Sequence, residues 1–98
     1  MKNYLYYFEF FSGFYESYFY QQIKAKDERS AIIQIISFFK NITEEDSQTF
    51  LTDELKKDWT TEKFWEKMDL RFSNGEEGYT LNWIKEIDFD FDNVGTFI

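Results

Sequence analysis

The chain has no cysteine, no histidine and no proline, and only four glycines. Without cysteine there is neither a disulfide framework nor thiolate chemistry, which fits a reducing compartment. Without histidine, the commonest general base and metal ligand is missing. Catalysis would fall to carboxylates, Lys, Ser or Tyr, and no carboxylate pair sits in the apolar setting that pulls two pKa values apart. There is no glycine-rich phosphate loop. These absences point away from an enzyme and imply no cofactor. No run approaches the length of a membrane span. The aromatic stretch Tyr4–Phe8 is interrupted by Glu9, alternates, and is followed by no small-residue cleavage site, so it reads as a strand rather than a leader. We therefore expect a cytoplasmic protein with no membrane partner.

What the chain has is aromatic side chains and negative charge. The 98 residues are enough for one domain, residues 1–98, with a core of its own. Thirteen Phe, seven Tyr and three Trp make 23% of the chain, which argues against disorder. Net charge is −8, so nucleic acid and anionic lipid are repelled and a basic partner is favoured. The charge is uneven. Residues 1–40 carry five cations against four carboxylates, and residues 41–98 carry six against fifteen. The acidity belongs to the second half.

The stretch from Phe14 to Phe39 organises the rest. Phe14–Ala25 alternates as a strand, and Ala31, Ile32, Ile35, Ile36 and Phe39 recur at helical spacing. Asp27 is placed to cap that helix, which the pattern predicts over Glu28–Asn41. Asn3–Phe11 reads as a preceding strand, turned back through Ser12-Gly13. Thr43-Glu44-Glu45-Asp46 reads as a second helix start, with acids where the helix dipole favours them and Ser47 as an alternative cap. Thr60-Thr61 favours a break before Phe64, Trp65 and Met68, so residues 47–68 form one bent helix or two short ones. Strand pattern returns from Leu70, with Asn74-Gly75 in a hairpin loop and Tyr79, Leu81 and Trp83 at period two. Ile87, Phe89 and Phe91 are expected inward, and Val94, Phe97 and Ile98 docked. The order predicts an α+β fold: an antiparallel sheet of N-terminal and C-terminal hairpins, with two or three helices between them packed on one face. The strands are aromatic on both faces, so the second face needs cover, from a later element or from a second copy.

Three groups of residues are candidate sites. Glu86, Asp88, Asp90 and Asp92 alternate with apolar residues, which on a strand sets four carboxylates on one side at about 7 Å intervals. That is a binding stripe for Lys and Arg, or a solvated guard on a sheet edge. Asp88-x-Asp90-x-Asp92 also matches the opening of a calcium loop. However, Asn93 stands where glycine is required and the bidentate Glu would fall beyond Ile98, so no metal site is expected. Glu44, Glu45 and Asp46, with Asp53, Glu54 and Asp58, form a second acidic cluster. If it shared a side with the stripe, the surface would imitate a nucleic-acid backbone. Tyr4, Tyr6, Tyr7, Tyr15, Tyr18 and Tyr20 could form a stacking platform. The hairpin lacks the cations an RNA binder needs, so a protein interface fits them better. The expectation is a non-enzymatic, acidic module that engages a protein partner with a basic surface and blocks or regulates it. A structural protein homodimerising through the aromatic hairpin is the alternative. In size and charge the chain is similar to phage-encoded anti-defence inhibitors and immunity proteins, a likeness of composition that no motif carries. The bias to Lys, Asn, Ile, Phe and Tyr fits a bacterial or phage source.

Overall fold

A computed structural model gives the architecture and describes residues 1–91. The expected docking of Val94, Phe97 and Ile98 lies outside the described residues. The elements are β1 (Lys2–Ser12), β2 (Tyr15–Ala25), α1 (Glu28–Lys40), α2 (Glu44–Leu55), α3 (Thr61–Lys67), β3 (Arg71–Asn74) and β4 (Glu77–Ile87). The strands form one antiparallel sheet in the order β2-β1-β4-β3, so the two hairpins join through β1 and β4. The fold is α+β, with the helices packed against one face of that sheet.

Local chemistry sets the boundaries. Gly13 takes φ +59 while Phe14 stays at negative φ, the pattern of a two-residue II′ hairpin turn that brings Ser12 opposite Tyr15. Asp27 caps α1 by accepting from the Ser30 amide at 2.8 Å, and Asn41 closes it in the left-handed conformation. Thr43 and Thr60 cap α2 and α3 in the same way through the Asp46 and Lys63 amides. The segment 47–68 is therefore two helices. Lys56 breaks it at φ +82, and Thr60 starts the second.

Strand parity then builds the core. Tyr4, Tyr6 and Phe8 of β1, Leu81 of β4 and Phe72 of β3 are buried. Except for Tyr4, which packs beside Ala25 and Ala31, they share a core with Ile32, Ile35, Ile36 and Phe39 of α1 and Leu51 and Leu55 of α2. Trp59 and Phe64 complete it. Burial pushes the Tyr6 phenol up to about 12. The apolar residues of α1, Ile33 among them, pack on two sides, against the sheet and against α2. Ser47 of α2 is fully buried, and its Oγ donates to the Ile33 carbonyl at 2.7 Å, which lets α2 lie close against α1.

One register shift redirects the far end of β4. Tyr7 pairs with Trp83 but Phe8 pairs with Leu81, so Asn82 is an extra residue in β4. Tyr79 and Leu81 face the helices, and Trp83 lies on the other face. The period-two pattern of Tyr79, Leu81 and Trp83 does not put them on one side. The strand then stops at Ile87, and residues 88–90 bend away.

The α1 cap gives a stability test. The Ser30 amide holds the Asp27 carboxyl below its ordinary value. A group whose folded pKa is depressed contributes above its unfolded pKa, and that contribution is lost as pH falls through the folded value. Asp27→Ala should cost about 1 kcal/mol at neutral pH. The gap between variant and parent should narrow in acid below the ordinary carboxylate range, as followed by denaturant melts at several pH values. A gap that widened in acid would remove Asp27 as an ionised cap.

Candidate protein-binding surfaces

The face of the sheet away from the helices is aromatic and open. On β1 it presents Leu5, Tyr7, Glu9 and Phe11, and register places Gln22, Tyr20, Tyr18 and Glu16 of β2 beside them. Tyr7 stacks on Tyr18 at 5.7 Å and on Trp83 at 5.7 Å, and Tyr20 leans against both Tyr7 and Trp83. Tyr18 and Tyr20 stay 55% and 56% exposed. Tyr18 donates to the Glu9 carboxylate across the strands, which holds its phenol proton above the usual range. At the hairpin end, Phe11 is buried under the Arg71 guanidinium, 4.3 Å from the ring centre. The tyrosines of the hairpin thus divide. Tyr4 and Tyr6 belong to the core, Tyr7, Tyr18 and Tyr20 form the outer platform, and Tyr15 lies exposed beside the turn. Trp83, which sequence periodicity assigns to the opposite face, completes the platform.

The structure takes the C-terminal acidic stripe apart. Glu86 pairs across from Tyr4 on the helix side and forms an ion pair with Lys2 at 3.5 Å. Beyond Ile87 the chain crosses to the other face. Asn3 Nδ2 donates to the Phe89 carbonyl at 3.1 Å, and the Phe91 amide donates to Gln22 Oε1. Asp90 accepts from Gln22 Nε2 at 2.8 Å and pairs with Lys24 Nζ at 3.2 Å. Asp88 is exposed, and Asp92 lies outside the described residues. Glu86 and Asp90 do not share one row, because the alternation outlasts the strand. Phe89 and Phe91 are exposed rather than inward. Among the described residues no three carboxylates converge on a cation position.

Glu44, Glu45 and Asp46 occupy the first turn of α2. Glu44 and Glu45 line an open groove of about 700 Å³ whose other wall carries Lys26, Asp27 and Arg29. They lie in the helical layer, whereas Asp90 is engaged on the outer face, so the two acidic groups do not merge. The helical layer is acidic in its own right. Residues 44–69 hold nine carboxylates and four lysines, and all nine carboxylates are exposed. Two ion pairs occur among the described residues, and neither reaches this segment.

No protein-family model, curated protein or solved structure matches the chain.

Proposed function

We propose that the protein acts by binding another protein, without catalysis, and that its acidic helical layer engages a basic site on that partner and blocks or regulates it. The observation that carries this is the field of nine exposed carboxylates over residues 44–69, none of them in an ion pair. Like charges held on one rigid layer cost some stability and raise the encounter rate with a basic surface. Glu44, Glu45 and Asp46 stand at its start, and among the described acids of 86–91 Asp88 is exposed and makes no ion pair.

A tagged full chain should retain a basic protein from host lysate that elutes as salt is raised. With that protein in hand, Glu44→Gln, Glu45→Gln and Asp46→Asn combined should lower the association rate about tenfold at low ionic strength and flatten its salt dependence. An unchanged rate would take the helical layer out of the mechanism. Self-association through the β1–β2 hairpin is a second function, favoured by the Tyr7–Tyr18–Tyr20–Trp83 platform, on which Tyr18 and Tyr20 are exposed.

A further inference from the structure

The outer face of the sheet holds a carboxylate among its rings. Glu9 lies on β1, between β2 and β4, with Tyr7 and Phe11 two positions away along the strand and Tyr18 and Thr80 beside it across the ladder. It is partly buried. Tyr18 donates its hydroxyl to it, and a carboxylate has room for further donors. Glu16 pairs with Phe11 on the same face, so a second carboxylate stands diagonally from the first. Two ion pairs occur among the described residues, and neither contains Glu9 or Glu16. The cations of this face are engaged or distant. Arg71 shares the row of Glu9 through Thr80, but its guanidinium lies 4.3 Å over the Phe11 ring. Lys24 is held by Asp90, and Lys85 pairs with Leu5, beyond the row of Tyr7 and Trp83.

That carboxylate decides what can cover the rings. An apolar surface would strip its water and return no hydrogen bond. A nucleic-acid backbone is repelled by both acids. A cation with a flat, weakly hydrated head suits the carboxylate and the rings together. Arginine has that shape: its planar guanidinium stacks on a ring and donates in its own plane to a carboxylate, whereas the lysine ammonium is a compact, strongly hydrated point charge. The chain itself uses this packing twice, with Arg71 on Phe11 at 4.3 Å and Arg29 on Trp59 at 4.4 Å. These are its only two arginines. Both are committed to rings of their own chain, so the guanidinium that fits Glu9 belongs to a different protein and not to a second copy.

We propose that the outer face binds an arginine side chain of a partner protein, stacked on the ring of Tyr18 and paired with the Glu9 carboxylate, with Glu16 adding to the attraction. The site is braced from within the sheet. Tyr7 stacks on Tyr18 and on Trp83, with ring planes 13° and 12° apart, and the Tyr18 ring stays 55% exposed. Tyr20 leans on Tyr7 and Trp83 and keeps that ring row in place. The contact rests on the protein-binding reading above but not on the acidic helical layer, which covers the other face of the sheet. It competes with self-association for the same rings.

The probe is acetyl-Gly-Gly-Arg-Gly-Gly-amide, titrated into the isotope-labelled full chain and followed by NMR. Two further peptides carry lysine or citrulline, the neutral analogue of arginine, at the centre. The arginine peptide should shift the signals of Glu9, Tyr18 and their ladder neighbours saturably, with a Kd of about 1–10 mM. The lysine peptide should bind about threefold more weakly. The citrulline peptide should leave the signals in place. Glu9→Gln keeps the shape and the acceptor for Tyr18, and it should weaken arginine binding about tenfold. Tyr18→Ala removes an exposed ring and should weaken it about threefold. Both variants should keep the circular dichroism of the parent. Neutralising Glu44, Glu45 and Asp46 together should leave the shifts at Glu9 and Tyr18 unchanged, so this site and the helical layer fail separately. No saturable shift by about 50 mM arginine peptide overturns the proposal. Equal binding of the citrulline peptide overturns it too, as does an unaltered Kd in Glu9→Gln. A dimer whose interface, mapped by hydrogen exchange, covers Glu9 and Tyr18 also overturns it and gives the rings to a second copy.

Discussion

Phe39→Ala is expected to lower the free energy of unfolding by about 4 kcal/mol, and the melting temperature by roughly 15–30 °C for a domain of this size. Phe39 lies in the last turn of α1 and is buried where that helix meets three strands. Its ring stacks on Tyr79 of β4 at 4.8 Å, tilts against Phe8 of β1 at 5.5 Å and Phe72 of β3 at 5.6 Å, and meets Tyr6 edge-on at 6.2 Å. Such ring pairs add about 0.5–1.5 kcal/mol each beyond the area they bury. The neighbours are held by strand backbone on three sides, so the cavity left by alanine cannot collapse, which puts the cost toward the upper end of large-to-small substitutions. Phe38 is the internal control. It is 52% exposed, and Phe38→Ala should cost about 1 kcal/mol or less. Thermal melts of the two variants decide the matter, and equal losses would deny Phe39 its place at the junction.

The buried face of α1 was legible in the helical spacing of Ala31, Ile32, Ile35, Ile36 and Phe39, but Phe38 extends the same apolar stripe, and its exposure was not legible from residue type. The caps Asp27 and Asn41 were legible because short polar side chains and left-handed conformations are local chemistry. What local pattern misses is a change of parity. Tyr79, Leu81 and Trp83 alternate as residue types whether or not Asn82 is bulged, and tryptophan suits either face. Only the pairing with β1 shows that Trp83 joins Tyr7. The acidic stripe fails similarly. Glu86, Asp88 and Asp90 keep their alternation after the strand has ended, and the bend at 88–90 sends Asp90 to Gln22 and Lys24. The acidic second half was plain from charge counting, but its collection on the helical layer required knowing where the strands close. Strand order is the least legible feature. Nothing local says that β1 is central and that β2 lies outside it.

Gly78→Ala is expected to cost about 3 kcal/mol and to act first on the pairing of β3 with β4. A Cβ at this position would lie 2.4 Å from the Phe72 carbonyl oxygen and 2.6 Å from the Ser73 Cα, both of them backbone of β3, and 2.9 Å from Cζ of Phe11. The ring of Phe11 is itself held beneath Arg71. The strand atoms cannot rotate aside as a side chain would, so either β3 moves off β4 or Phe11 leaves its cover. Gly78 is not at positive φ, so the whole cost is steric and should grow with side-chain size. Gly75, three residues earlier, presents the opposite case. It takes φ +75 with nothing within 4 Å of an added Cβ, so Gly75→Ala should cost about 1–2 kcal/mol through backbone strain alone. Asparagine separates the two mechanisms, because it tolerates the left-handed region better than alanine but is larger. Gly75→Asn should recover much of the loss seen in Gly75→Ala, and Gly78→Asn should be worse than Gly78→Ala. Hydrogen exchange should show early loss of protection in β3 for the Gly78 variants. If asparagine rescued Gly78, the contact with Phe72 and Ser73 would not be what excludes a side chain there.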